Sequence, residues 1–252
     1  MAIDQDLARE RGRRWLPARR PRSIEQAARF VEAVGFALLF PADRIAAPSL
    51  FEAVAGPDAQ PWEHGMGPAE STVWEWKDAL PEAGLAWYGR FLHRRASLLS
   101  PELLAALYPG AGEPDDHRAL PLSEAAHRVA DALLTGPLPS SALRELIGNR
   151  SHYDRAIGEL QRHLLVSSAG VQEQRTGWPA VVLELTCRLF EVGGGPDHPQ
   201  AADRYLRTVV AASPVDLARA YGWSAAGARR VLDELVAAGR AARSPTGYST
   251  LS

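Results

Sequence analysis

The stretch GPLPSSALRELIGNRSHYDRAIGELQRHLLV at 136–166 constrains the fold most, because it spells a short helix, a tight turn and a longer helix with almost nothing between them. Pro137 and Pro139 keep the chain extended, Ser140 or Ser141 suits the helix N-cap, and Gly148 suits its stop. Ser151 with Asp154 three residues on reads as the cap of the second helix and its acidic partner. Tyr153, Ile157, Leu160 and Leu164 recur at helical spacing and predict a buried stripe. His152, Arg155, Glu159 and Arg162 form a second stripe on the opposite face, where a recognition helix directs side chains into a DNA groove. A solvated surface helix carries the same pattern.

The following residues, LLVSSAGVQEQRTGWPAVVLEL, run apolar at both ends around a polar, Gly-containing middle and predict a β-hairpin. With SEAAHRVADALL supplying a preceding helix through Val129 and Leu133, the order is that of a winged-helix unit, with Gln172, Gln174 and Arg175 at the wing tip. A second copy follows the Gly-rich boundary EVGGGPDHPQ. SPVDLARAYG matches SSALRELIG, pairing Leu217 with Leu143 and Gly222 with Gly148. SAAGARRVLDELVAAG matches the long helix, with Val231, Leu232 and Leu235 inward and Arg229 and Arg230 outward. RAARSPTGYSTL, with Arg243, makes a short closing hairpin. Such a unit also serves in dimerisation or packing.

The first hundred residues carry a more divergent version. Ser23 with Gln26 caps SIEQAARFVEAVG before Gly35, and Ser49 with Glu52 caps SLFEAVAG. AESTVWEWKDAL reads as a helix after a Gly- and Pro-rich loop. LAWYGRFLHRRASLLS gives two strands around Arg94 and Arg95. Trp74, Trp76, Trp87 and Tyr88 read as core aromatics, with a base-stacking platform as the other reading. GAGEPDDHRALP reads as a solvated linker, although Asp115 and Asp116 beside His117 hold acid–base groups.

The fold class expected is therefore α+β, mainly helical, as three tandem winged-helix units. The expected boundaries are a basic N-terminal arm at 1–21, domains at 22–119 and 120–195, and a C-terminal unit at 196–252. A net charge of −2 over 252 residues argues against a uniformly basic nucleic-acid binder, but the charge is uneven. Arg9, Arg11, Arg13, Arg14, Arg19, Arg20 and Arg22 outweigh the acids of the arm, which lies along phosphates or is a solvated tail. No apolar run approaches the ~20 residues of a membrane span, so a cytoplasmic protein is expected. One cysteine, Cys187, placed on the second wing strand, supports neither a disulfide nor a zinc site. The histidines lack metal-ligand spacing, and no phosphate-binding Gly loop follows a strand, so neither metal nor cofactor is expected.

PSLFEAVAG at 48–56, VWEWKDALPEAGLAWYGRFL at 73–92 and the stretch at 136–166 resemble the AlkZ-related family of bacterial tandem winged-helix proteins, relatives of interstrand-crosslink DNA glycosylases. The resemblance implies a DNA-associated protein. Glycosylases of that group carry a Gln-x-Gln pair just after the first helix to position the attacking water. Here Leu38 and Phe40 stand in those places, and no catalytic residue is assigned. The reading is thus a non-catalytic DNA-binding protein, a transcription regulator or repair-associated factor. Its expected partner is double-stranded DNA, contacted by Arg13, Arg14, Arg94, Arg95, His152, Arg155, Arg162, Gln174, Arg175, Arg229, Arg230 and Arg243. The arginines of the arm, the first wing and the two long helices are expected to line one concave surface. Two alternatives stay open: a glycosylase with a relocated catalytic group among Glu63, His64 and Asp78, and a protein-interaction module.

Overall fold

A computed structural model describes residues 2–63, 65–174, 179–244 and 247–251, with side chains from residue 6 onward. Among these the same order of elements occurs three times. The first run is α2 (Ile24–Val34), β1 (Phe36–Leu38), α3 (Leu50–Ala55), α4 (Pro68–Glu82), β2 (Trp87–Arg90) and β3 (Ala96–Leu99). The second is α6 (Glu124–Leu133), β4 (Leu138–Pro139), α7 (Ser140–Ile147), α8 (Arg150–Arg162), β5 (Val166–Gln172) and β6 (Ala180–Leu185). The third is α10 (His198–Val209), β7 (Ala211–Ala212), α11 (Pro214–Tyr221), α12 (Ala225–Ala237), β8 (Ala241–Ser244) and β9 (Gly247–Thr250). Each run closes an antiparallel three-stranded sheet with its last strand central: β1-β3-β2, β4-β6-β5 and β7-β9-β8. Outside the runs lie α1 (Ala2–Trp15), α5 (Pro101–Leu107) and the one-turn α9 (Thr186–Leu189).

Local chemistry sets most helix starts. The hydroxyls of Ser23, Ser49, Ser100, Ser123, Ser213 and Ser224 each accept the amide three residues on, satisfying one of the unpaired first-turn donors. Two caps differ from expectation. Asn149, two residues earlier than the expected Ser151, caps α8 by accepting from His152 N at 3.1 Å. α7 begins after Pro139 with no side-chain cap, and Ser140 is instead buried within the helix.

The buried core does not stop at the expected boundaries. One cluster runs from Phe36, Trp87 and Leu99 through Leu133, Leu160 and Val166 to Leu206, Leu217 and Leu232. A second lies within the first run, around Phe30, Leu50, Phe51, Val73 and Leu80. Phe36 stacks on Tyr205 with ring centroids 5.7 Å apart, and Phe91 on Tyr221 at 5.9 Å. Trp87 Nε1 donates to Thr186 Oγ1 at 3.1 Å, and Gln161 Oε1 accepts from Arg90 N at 3.0 Å. These contacts join all three runs, so apolar burial, the dominant folding term, is shared among them.

Three expectations are corrected. The N-terminal arm is a helix whose inner face caps another: Arg11 Nε, Arg14 Nη1 and Trp15 Nε1 donate to the carbonyls of Val209, Arg207 and Thr208. Those carbonyls belong to the last turn of α10, which has no intrahelical donors for them. Cys187 sits in α9 rather than on a strand, because Phe190 N closes a helical turn onto Thr186 O. The segment 109–119 is not a solvated linker. Asp116 accepts the amides of Ala111, Gly112 and Glu113 at 2.9, 2.8 and 3.0 Å and the Tyr108 hydroxyl at 3.1 Å, while His117 is buried with Nε2 on Asp131.

This folded loop is pressed against the second linker. Gly112 has φ +91°, and a Cβ there would come within 2.2 Å of Val192 O. Gly195 N donates to Gly110 O at 3.2 Å. Gly112→Ala is expected to lower stability by about 1–3 kcal/mol, from positive φ and the backbone clash together. Urea denaturation measures this, and a change under about 0.5 kcal/mol would mean that the linkers part without cost.

Candidate functional site

α8 projects its N-terminal half into solvent. Tyr153, Ala156 and Leu160 face inward, while His152, Arg155 and Arg162 are exposed. The fourth member of the expected stripe turns away: Glu159 accepts from Ser123 N at 3.0 Å and Ser123 Oγ at 2.6 Å, at the start of α6. With the carboxylate so engaged, the outward stripe is left wholly basic.

At its C-terminal end α8 enters a cleft of 700 Å³ to which all three runs contribute. Phe91, His93 and Arg94 come from the β2–β3 hairpin, Arg162 and His163 from the end of α8. Val215, Ala218, Arg219 and Tyr221 come from α11, followed by Trp223 and Ala225. The hairpin tip is a 3-10 turn in which His93 and Arg94 both have positive φ, 49° and 60°. For non-glycine residues that conformation costs free energy and is held by the surrounding packing, here against α11. The side chains of Arg94, Arg162 and Arg219 make no hydrogen bond or ion pair with any described residue, although the three come from different runs. Like charges gathered with no carboxylate in the cleft lining repel, and an anion between them relieves that cost.

Two histidines line the same cleft, both half-buried. Burial holds His93 below its usual 6.5, with Asp216 opposing and Arg219 adding to the depression. Burial likewise lowers His163, with Glu159 opposing and Arg162 adding to it. Each imidazole is therefore uncharged near neutrality. Below the ordinary value the unfolded chain binds protons that the folded chain refuses, so stability is present above that pH and is lost as pH falls toward the depressed folded values. Thermal denaturation at pH 7.5 and pH 5 measures the slope. The double variant His93→Gln/His163→Gln is expected to flatten it, and an unaltered slope would place the titrating groups elsewhere.

A neighbouring groove of 740 Å³ shares Val215 and Ala225 with the cleft and is flanked by Arg229 and Arg230 of α12. Arg229 has no ion pair among the described residues, and Arg230 reaches Glu234 at 4.0 Å. Arg243, expected to contact DNA, instead donates to Asp233 and to Tyr248 Oη, both at 2.8 Å. Arg95 is exposed beside Arg94, and Gln174 is exposed just beyond β5. Arg175 lies outside the described residues. Arg13 is exposed and 3.7 Å from Glu10, and Arg14 is held by Glu10 and Arg207 O. Arg14 lines a third cleft that shares no residue with the other two. The structure thus brings together Arg94 and Arg162, and next to them Arg229 and Arg230, but leaves the arm apart.

α4 is not free in the same way, because β5 of the second run packs along it. Lys77 is buried there and donates to Asp78 Oδ2 at 2.5 Å, while Ser168 Oγ of β5 donates to Asp78 Oδ1 at 3.0 Å. Trp76 and Trp87 are core residues as expected, but Trp74 is 44% exposed, with Lys77 Nζ 4.7 Å from its ring centre. Leu38 is buried, its amide on Pro48 O, and Phe40 packs on Trp62 and Phe51. Glu63 is exposed on the loop before α4, and His64 lies outside the described residues. No three metal-binding side chains gather among the described residues, and no described helix is long and apolar enough to cross a membrane.

The sequence reading missed His93, His163, Arg219 and Trp223. Arg219 occupies the place in α11 that Glu145 holds in α7, a difference that becomes meaningful only once α11 is seen against the first hairpin.

Comparison with known proteins bears on this geometry. The family model described as AlkZ related matches residues 21–209. Among solved structures, the Streptomyces sahachiroi DNA glycosylase AlkZ superposes with a TM-score of 0.59 at 16% identity, covering 98% of this chain and 69% of that one. At that identity the likeness is one of fold. No curated protein matches the chain in sequence.

Proposed function

The chain belongs to the AlkZ-related family, and from that membership we propose that it is a duplex-DNA-binding protein of three winged-helix units without the glutamine-based base-release chemistry. Each run of helix, strand, helix, helix and hairpin has the winged-helix order, with its last strand between the other two. The observation that carries the reading is the convergence of Arg94, Arg162 and Arg219, unpaired and from three runs, between the exposed faces of α8 and α12. Arg155 extends the row along α8, and Arg229 and Arg230 extend it along α12. Guanidinium groups suit phosphate oxygens by charge and by their fork of donors. A groove-reading helix then has His152 and Arg155 at its N-terminal end, with Gln174 just beyond β5 on the adjoining hairpin.

The places of the two glutamines support the non-catalytic part. Leu38 and Phe40 are apolar and packed, so neither orients a water nor stabilises a developing oxocarbenium ion. Asp78 is engaged by Lys77 and Ser168 rather than directed into an open cleft. The protein acts in the cytoplasm, as a regulator or repair-associated factor. A protein partner is a second reading, favoured by Trp62, Met66 and Trp74, which are exposed on α4 and the loop before it.

Fluorescence anisotropy with a labelled duplex, run beside an alkali-cleavage assay on alkylated DNA, tests both halves. Saturable binding without abasic sites is expected. Reproducible base release would overturn the non-catalytic reading, and no binding at low salt would overturn the whole.

A further inference from the structure

The cleft bounded by the end of α1, the segment 16–22 and α2 has no part in the surface described above. It measures 1040 Å³ and is lined by Arg14, Arg19, Arg20, Arg22 and Arg29, with no carboxylate in its lining. Arg14 is engaged with Glu10 and the carbonyl of Arg207. The side chains of the other four make no hydrogen bond or ion pair with a described residue. Apolar groups complete the walls: Leu16 and Pro17 from the connecting segment, Phe30 and Val34 from the inner face of α2.

The cleft is held open by fixed elements. The hydrogen bonds of Arg11, Arg14 and Trp15 to the end of α10 pin α1, and Pro17 and Pro21 restrict the segment between the helices. Arg20 lies over Gly56, whose φ is +109° and where a Cβ would come within 2.7 Å of Arg20 Nη2. That glycine leaves room for the guanidinium.

We propose that this cleft binds an organic phosphate of nucleotide size, its phosphate among Arg19, Arg20, Arg22 and Arg29 and its flat apolar part against Leu16 and Phe30. Inorganic phosphate alone would leave most of the volume and all of the apolar wall unused, whereas a nucleotide has both parts in one molecule. The phosphate comes either from a free nucleotide or from one nucleotide of a nucleic-acid strand.

Isothermal titration of the full chain with adenosine monophosphate, and separately with a twelve-nucleotide single-stranded oligonucleotide, separates these sources. Binding of either is expected to weaken roughly tenfold or more in Arg22→Ala/Arg29→Ala. Arg155→Ala/Arg162→Ala should leave adenosine monophosphate binding within about twofold, and oligonucleotide binding counts for this site only where the Arg22/Arg29 pair weakens it. Adenosine monophosphate binding identifies a free ligand, and binding of the oligonucleotide alone identifies a strand. Failure of both probes to bind below about 1 mM would overturn the proposal. So would binding unchanged by the Arg22/Arg29 pair, with Arg22→Gln/Arg29→Gln serving if the alanine protein does not fold. Because the duplex surface has its own arginines, loss of this site leaves that reading standing.

Discussion

Replacing Arg94, Arg162 and Arg219 together by alanine is expected to weaken duplex binding about a hundredfold at low salt. Each guanidinium is free to contact a phosphate, and a solvent-exposed contact of that kind contributes about 1 kcal/mol. Three contacts amount to about 3 kcal/mol, a little more than two decades in Kd. The loss should be nearly the same for unrelated duplex sequences, since phosphate contacts position the protein and do not read bases. Arg13→Ala serves as the control, because that residue is exposed on α1 and lines neither duplex-facing groove. Anisotropy titrations on proteins with matched melting temperatures measure the effect. An affinity within about threefold of the parent would remove the cleft from the interface.

Asp78→Ala is expected to be among the most destabilising single changes, by about 3–5 kcal/mol, because it strands a buried charge. Lys77 is 5% exposed, and its ammonium has Asp78 Oδ2 at 2.5 Å. Without that carboxylate the cation retains, among the described residues, the ring faces of Trp74 and Tyr88, at 4.7 and 5.7 Å. Ser168 Oγ loses the nearer of its acceptors as well, keeping Gly170 O at 3.5 Å, which loosens the seam between α4 and β5. Changing both members of the pair, as Lys77→Met/Asp78→Leu, should recover most of the loss, since no charge is then left unpaired. Urea unfolding of the two variants gives the comparison. If Asp78→Ala proves as stable as the parent, the carboxylate has no structural role, and a catalytic one in the first run becomes the better account.

What sequence made legible was local. The serine caps at 23 and 49 and the stops at Gly35, Gly148 and Gly222 are settled within a turn of helix, so residue type at short spacing reveals them. The stripe of Tyr153 and Leu160 and the hairpin at 166–185 are likewise short-range patterns. What escaped depends on distant partners. Nothing in the spacing of Arg11, Arg14 and Trp15 announces that the end of α10 needs donors. Nor does the stripe on α8 show that Glu159 is taken by Ser123, nearly forty residues earlier. Trp74 looked like core because its neighbours are core, yet β5 covers the other face of α4. The cleft was half visible: Arg94 and Arg162 could be picked as tip and helix-end cations, but their meeting with Arg219, His93 and His163 is a product of packing between runs.

The central claim is that one surface running from α8 through the cleft to α12 meets the phosphates of a duplex. The dependence of duplex affinity on salt concentration tests it most directly. Arg94, Arg155, Arg162, Arg219 and Arg229 are the cations along that path without ion pairs among the described residues, and each phosphate neutralised releases about 0.9 of a counterion. A plot of log affinity against log salt should therefore fall with a slope of about −4 to −5, and by about 2–3 less steeply when Arg94, Arg162 and Arg219 are alanine. No association at the lowest salt, or an affinity indifferent to salt, would contradict the account.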